Sequence, residues 1–320
     1  MHEFQIINNY FNRLTKNNKN SLNLNDDVFF DKKNRLAISV DTYTEGNHFI
    51  NFKNPELVIK KILRSSISDL ICKGVVPKYY FISCSGNKNS FTKSNLSKMS
   101  KSLNEEQQKY NIYLGGGDTV FSKKLSFTIT SAGYSKNIIY RNKAKQNDDL
   151  YVTGNLGDSY IGLEILKKKL KLSKSQNKYF INKYYKPQIH LMLVNELKKF
   201  ASSSIDISDG LFTDLEKLIN KLNVSYKVIL NDIPISKNLS LLIKNKNLLK
   251  KNLISNGDDY QILFTAPMRK KLLIKKISKS LKIRITKIGK ILNKPHRSTL
   301  LDEKNKKIIL KNKGYFHDFS

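Results

Sequence analysis

The chain has 320 residues, 39% of them hydrophobic, with 16 Phe and 16 Tyr. That is enough apolar material for ordered cores and enough length for two domains of ordinary size, which excludes disordered and fibrous classes. Lys plus Arg is 58 against 26 for Asp plus Glu, a net charge of +32, and by charge alone this is the footprint of a nucleic-acid binder. The bases are nearly all Lys, however. Arg stands only at Arg13, Arg35, Arg64, Arg141, Arg269, Arg284 and Arg297, and base-edge and bidentate phosphate recognition favour Arg. Lys is spread along the whole chain beside abundant Asn and Ile, as drift toward AT-rich codons produces, so no specific nucleic-acid partner is expected. No window approaches 18 uninterrupted apolar residues, so no membrane helix is expected. The start, MHEFQIINNYFNR, lacks the features of a secretory signal. Two cysteines, Cys72 and Cys84, cannot make a disulfide framework or a four-cysteine metal site, and a reduced, cytoplasmic setting is expected.

In chain order, Asp26-Asp27 precedes the apolar Val28-Phe29-Phe30, and Leu36-Ala37-Ile38-Ser39-Val40 reads as a strand ending in Asp41. Segment 55–74 opens with Pro55, closes near Gly74 and has helical apolar spacing. Asp69 falls between Val58 and Ile62 on that wheel, at the margin of the buried face. Residues 91–110 read as a second helix. The run 112–114 ends in Gly115-Gly116-Gly117-Asp118, where the glycines alone suggest a turn, and a strand follows around 125–133. The polar stretch 142–148 is the expected boundary between an N-terminal domain, 1–142, and a C-terminal domain, 143–320. Beyond it, 149–153 reads as a strand, then a glycine turn into a helix at Gly154–Ser159. Helices are expected at 157–169, 187–200, 210–222 and 267–281. Ser204–Gly210 reads as a strand end opening into a helix, and Asn256-Gly257-Asp258-Asp259 precedes the run Tyr260–Thr265. The Lys-rich stretches 167–174 and 269–282 read as solvated helix faces.

In so basic a chain, the places that keep acids are the informative ones. Several Asp residues sit beside Gly or Ser at the ends of apolar runs, where α/β proteins bind ligands. Clustered carboxylates repel one another and persist only with cations between them. An oxygen-only donor set suits Mg²⁺, which bridges protein carboxylates to substrate phosphates. The five histidines are scattered without HExxH spacing, and no Cys/His cluster suggests zinc. There is no GxSxG elbow, no GxxxxGK[ST] loop and no GxGxxG after a strand, so a serine hydrolase, a P-loop kinase and a dinucleotide-binding enzyme are unsupported.

Taken in order, Asn25-Asp26-Asp27, Ser39-Val40-Asp41-Thr42 with Glu45-Gly46-Asn47-His48-Phe49, Ser68-Asp69-Leu70, Gly116-Gly117-Asp118-Thr119, Val152-Thr153-Gly154, Ile205–Leu211, Gly257-Asp258-Asp259-Tyr260 and Gly314-Tyr315 resemble the thiamine-monophosphate kinase family. Its superfamily includes aminoimidazole-ribonucleotide synthetase and selenophosphate synthetase. The resemblance implies a two-domain α/β (α+β) fold, with an N-terminal mixed sheet and helices that dimerise and a C-terminal α/β domain completing the site. It implies transfer of the ATP γ-phosphoryl group to thiamine monophosphate with several Mg²⁺ ions. By matched position, Asp27, Ser39, Val40 (through its carbonyl), Asp41, Asp69, Asp118, Asp206 and Asp209 would hold metal, with Asp41, Asp69, Asp118 and Asp209 central to catalysis. Gly117, Asp118, Arg141 and Ser208 would contact ATP, and His48, Asp258 and Tyr315 would line the acceptor site. Asp258 stands where the family usually has Glu, and Asn23-Leu24-Asn25 stands where it usually has glycines. Two alternatives stay open here: another ATP-dependent synthetase of the superfamily, and a basic nucleic-acid-binding protein without catalysis.

Overall fold

The computed structural model describes residues 3–294, 296–310, 312–316 and 319. Its first half holds five strands, β1 (Phe29–Asp31), β2 (Leu36–Thr44), β3 (Val76–Gly86), β4 (Tyr113–Phe121) and β5 (Ser126–Tyr134), in the order β1-β2-β5-β3-β4. The sheet is mixed: β2 and β3 flank β5 antiparallel, while β4 lies parallel to β3 at the edge. A short N-terminal helix, α1 (Glu3–Ile6), precedes it, and two long helices, α2 (Pro55–Cys72) and α3 (Lys93–Tyr110), pack within this half.

The second half holds β6 (Asp149–Thr153), β7 (Ser203–Asp206), β8 (Val224–Ile229), β9 (Ile262–Ala266), β10 (Ile285–Asn293), β11 (Thr299–Leu301) and β12 (Lys307–Ile308), in the order β12-β11-β8-β10-β6-β9-β7. Around it run α4 (Asp158–Leu166), α5 (Lys174–Tyr185), α6 (Val194–Leu197), α7 (Leu211–Ile219), α8 (Lys237–Lys246), α9 (Lys250–Ile254) and α10 (Lys271–Leu281). Among the described residues no helix is long and apolar enough to cross a membrane. Both cysteines are free, Cys72 buried and Cys84 half-buried.

α2 is the axis of the molecule. Pro55 at its first turn supplies a preset φ, and Gly74 beyond its end takes φ +73. Val58, Ile59, Ile62, Leu63 and Ile67 are fully buried in a cluster that also contains Phe264 of β9, so one apolar core joins both sheets. Each such side chain contributes about 1.5–3 kcal/mol by leaving water. Ile62→Ala would cost about 2–5 kcal/mol. The same helix buries polar groups, among them Arg64, Ser65, Ser66 and Ser68, which have hydrogen-bond partners. The Arg64 Nε and a terminal nitrogen donate to the two carboxylate oxygens of Glu106 at 2.7 and 2.8 Å, clamping α3 onto α2.

Several expected elements are corrected. β2 does not end at Asp41 but runs to Thr44, because Ala37, Ser39 and Tyr43 keep the period-two burial of a strand. The glycine run is not a turn: β4 passes straight through Gly115–Gly117 with a bulge against β3. At Gly117 a Cβ would lie 1.9 Å from the Ile82 carbonyl oxygen, so the close approach of the two strands requires glycine. Residues 167–173 form the connection between α4 and α5 rather than a helix face. The helix expected at 187–200 is only a 3₁₀ turn, Leu191–Leu193, and α6. α5 was not anticipated; a Ser173–Gln176 capping box starts it and it buries Phe180, Tyr184 and Tyr185.

Candidate active site

A cleft of about 580 Å³ opens between the two halves. One wall is β2, which contributes Ser39 to Tyr43; the floor carries Ser65 and Asp69 of α2 and Asp206 from the end of β7. The loops 206–210 and 256–260 form the other wall, and they pack backbone against backbone. The Asp258 and Tyr260 N–H groups donate to the carbonyls of Ser208 and Ile207, both at 2.8 Å. A Cβ on Gly257 would sit 1.8 Å from the Ser208 carbonyl oxygen, which is why glycine stands there. Glu3, Phe4 and Ile7 from the N-terminal segment and Tyr315 from the tail close the rim.

At the centre, Asp27, Asp69 and Asp206 each offer a carboxylate oxygen, and these atoms lie within 4.8 Å of one another. Neutral donors steady them. Ser39 Oγ donates to Asp69 Oδ2 in a short contact, and Ser68 Oγ donates to Asp206 Oδ2 at 2.8 Å. Burial pushes the Asp69 carboxyl well above its usual range, and the charges of Asp41 and Asp206 push it further. Burial likewise raises Asp41 to about 6, against the Ser66 and Tyr43 hydroxyls, and its Oδ2 is buried without a hydrogen-bond partner. Asp206 rises to about 7 through burial and then the charge of Asp214. These groups resist ionisation because they are crowded and dry, and a cation among them would remove the cause.

Protein cations already brace the margins. The Lys73 ammonium, fully buried, lies 2.8 Å from Asp26 Oδ1 and 2.5 Å from Asp27 Oδ2, and donates to the Ser204 carbonyl. The Arg141 guanidinium contacts Asp27 Oδ1, and its backbone N–H donates to Asp26 Oδ2 at 3.0 Å. Lys217 contacts Asp209 and lies 3.2 Å from Asp214 Oδ1. Asp214 in turn accepts the N–H groups of Asp209 and Gly210, each at 3.0 Å, and so shapes that turn.

Beside this cluster, the 44–48 turn and the 256–260 loop give the cleft a different chemistry. His48 Nδ1 accepts the Thr44 N–H at 3.0 Å, and the His48 carbonyl accepts the Tyr184 hydroxyl at 3.1 Å. Asp258 Oδ1 accepts the Tyr260 hydroxyl at 3.2 Å. The Tyr315 N–H donates to the Asp209 carbonyl at 2.9 Å, tying the tail to the metal-side turn.

Of the residues singled out from sequence, Asp27, Ser39, Val40, Asp41, His48, Asp69, Arg141, Asp206, Ser208, Asp209, Asp258 and Tyr315 line this single cleft. Gly117 and Asp118 do not. They lie on the edge strand β4, all nine of whose residues are exposed. The register Thr42–Thr128–Ser83–Asp118 carries Asp118 three strands from β2, on the face that bears Thr42 rather than Asp41. Sequence reading missed Asp26, Lys61, Lys73, Asp214 and Lys217 as site-shaping groups. Lys61 was detectable in principle, since it falls three residues after Val58 on the buried stripe of α2.

Comparison with known proteins places this geometry. Residues 25–135 match the family model described as AIR synthase related protein, N-terminal domain. The thiamine-monophosphate kinase of Buchnera aphidicola subsp. Acyrthosiphon pisum (strain APS) is 36% identical over 325 residues, covering 98% of each chain. The chain belongs to the thiamine-monophosphate kinase family. A second family member, from Buchnera aphidicola subsp. Schizaphis graminum (strain Sg), is also 36% identical, over 326 residues and 98% of each chain. Among solved structures, one named AaThiL complexed with AMPPCP and TMP superimposes with a TM-score of 0.84 at 25% identity, covering 99% of this chain and 97% of that one. The fold is that of this kinase family, mixed α/β with two sheets.

The donor set fits Mg²⁺. All its side-chain ligand atoms are oxygens, three of them already converge, and Asp41 keeps an unpartnered buried oxygen. The half-buried His48 ring nitrogen is already engaged by backbone, and buried His190 bonds Gln261 at 2.7 Å outside the cleft.

Proposed function

We propose that the chain transfers the γ-phosphoryl group of ATP to the phosphate of thiamine monophosphate, giving thiamine diphosphate and ADP. The observation that carries this reading is the convergence of Asp27, Asp69 and Asp206 in the cleft that also holds His48, Asp258 and Tyr315, in a chain of this family. Asp27, Ser39, the Val40 carbonyl, Asp41, Asp69, Asp206 and Asp209 hold Mg²⁺ ions. Bound Mg²⁺ supplies charge neutralisation for the phosphate oxygens, so that two anionic reactants can approach. Arg141 and Ser208 hold the nucleotide phosphates. His48, Asp258 and Tyr315 orient the acceptor, in line with the bond that breaks. The acceptor oxygen forms its bond to the γ-phosphorus as the bond to the ADP oxygen breaks. That oxygen is ionised near neutral pH, so no general base is needed. Residues 1–142 then act as the nucleotide, metal and dimerisation domain, and 143–320 complete the site.

Gly117 and Asp118 take their roles in ATP and Mg²⁺ binding from a homodimer in this reading. The sheet of the first half exposes Val40, Tyr79, Phe81, Tyr113, Leu114, Val120 and Phe121, the last 81% exposed. Val40, Tyr79, Phe81, Tyr113 and Val120 share one face of that sheet, while Leu114 and Phe121 turn to the other side of its edge strand. Exposed apolar groups along an unpaired edge call for a cover, and a second copy is the cover proposed. It would bring β4 of one subunit to the other's cleft. The experiment is product analysis: purified protein with ATP, Mg²⁺ and thiamine monophosphate yields thiamine diphosphate and ADP in equal amounts, and none with EDTA. ADP and free phosphate without thiamine diphosphate would refute the acceptor.

A further inference from the structure

Lys61 of α2 is a buried cation that phosphoryl transfer does not itself use. Its side chain is 1% exposed, and its ammonium lies 2.7 Å from Asp258 Oδ1 and 3.5 Å from the centre of the Tyr184 ring. The ammonium sits off the ideal hydrogen-bond direction, so the contact with Asp258 is an ion pair by distance. Burying a lone ammonium is costly unless a carboxylate or an aromatic face compensates it. Here the protein supplies one of each, from two different elements.

The 256–260 loop lines the cleft, and α5 reaches it through the Tyr184 hydroxyl on the His48 carbonyl. Asp258 and Tyr260 hold left-handed backbone conformations, φ 67 and 49, which non-glycine residues keep only where their surroundings over-determine them. Lys61 and the Tyr260 hydroxyl meet on the same oxygen, Asp258 Oδ1. On the other side, the Tyr184 ring under the ammonium carries the hydroxyl that donates to the His48 carbonyl. One side chain therefore ties α2 to the 256–260 loop and, through α5, to the His48 turn.

We propose that Lys61 is a positioning residue for the acceptor: seated on the Tyr184 ring, it anchors Asp258 through Oδ1 and leaves Oδ2 for the ligand. The paired Asp258 then works as a fixed hydrogen-bond acceptor rather than as a free counter-charge. This rests on the reading that Asp258 and His48 face thiamine monophosphate.

The test is a double-mutant cycle read by calorimetric binding of thiamine monophosphate and, separately, of a non-hydrolysable ATP analogue. Lys61→Met should weaken thiamine monophosphate about tenfold while the ATP analogue stays within about twofold. In an Asp258→Ala background, Lys61→Met should add nothing, because the group it positions is gone. Equal loss for both ligands, additive losses across the cycle, or wild-type binding by Lys61→Met would each overturn the proposal. Should Lys61→Met fail to fold, the double variant, which removes both charges, replaces it: binding as in Asp258→Ala alone supports the proposal, and weaker binding contradicts it. If the wild-type chain does not bind thiamine monophosphate, the acceptor assignment falls and Lys61's role falls with it. If the wild type binds and the cycle is additive, only Lys61's role falls.

Discussion

The two ends of the cleft are built on opposite principles. At the phosphate end, carboxylates from β2, α2 and β7 crowd together, with Asp41 and Asp206 held neutral up to about pH 6 and 7. At the acceptor end, the acid Asp258 is matched by the buried cation Lys61 and the Tyr260 hydroxyl. In the proposed function the phosphate end takes its counter-charge from bound cations, whereas the acceptor end already holds its own in Lys61. Lys73 and Arg141 show that the imbalance is local, since both sit on Asp27 at the rim of the cluster. A site of this kind should respond to metal at one end and to shape at the other.

The sharpest break in that contrast is Asp69→Asn. It removes a proposed metal ligand, so turnover should fall by about 10²- to 10³-fold. It also relieves the crowding of ionisable carboxyls around Asp41 and Asp206, so the metal-free protein should melt no lower than wild type. Loss of activity together with a large loss of stability would mean that Asp69 is structural. Next in size is Phe121→Asp on the exposed edge strand. It should shift the chain toward monomer in sedimentation and lower turnover about tenfold or more, because Asp118 then loses its cleft. Full activity in a clean monomer would remove Asp118 from the site.

A smaller effect follows from proton linkage. Asp41 and Asp206 have folded values of about 6 and 7 against 3.8 in the unfolded chain. Between about pH 4 and 7 the folded state therefore binds more protons than the unfolded state, and metal-free stability falls as pH rises through that window. The slope is up to about 1.4 kcal/mol per pH unit for each extra proton. Mg²⁺ should raise the melting temperature more at pH 8 than at pH 5, and a thermal melt at the two values checks the sign. The smallest change expected is Tyr315→Ala, which should weaken thiamine monophosphate a few-fold more than ATP, about 1 kcal/mol of rim contact. Equal losses would move Tyr315 out of the acceptor wall.

Much of the site was legible because its residues sit where strand ends and helix starts expose backbone. Asp206 at the end of β7 and Asp27 before β1 follow that rule. The helices with both a punctuating residue and apolar spacing, α2 and α3, were also readable. β2 and β4 were misread for physical reasons. The core-facing side of β2 carries Ser39 and Asp41 among its inward residues, so hydrophobicity alone stops the strand too early. In β4, glycine serves close strand approach instead of a turn. The lysines were the larger loss. In a chain with so many solvated Lys, composition hides Lys61 and Lys73, the two that are 1% and 0% exposed. Only tertiary packing separates them from the rest.

Direct transfer between the two ends is tested most plainly with ATP labelled with ¹⁸O on the γ-phosphoryl group. The protein, Mg²⁺ and thiamine monophosphate should give thiamine diphosphate with all the transferred label in its terminal phosphoryl group, and unlabelled ADP. Label recovered in inorganic phosphate, with thiamine monophosphate unchanged, would contradict the account.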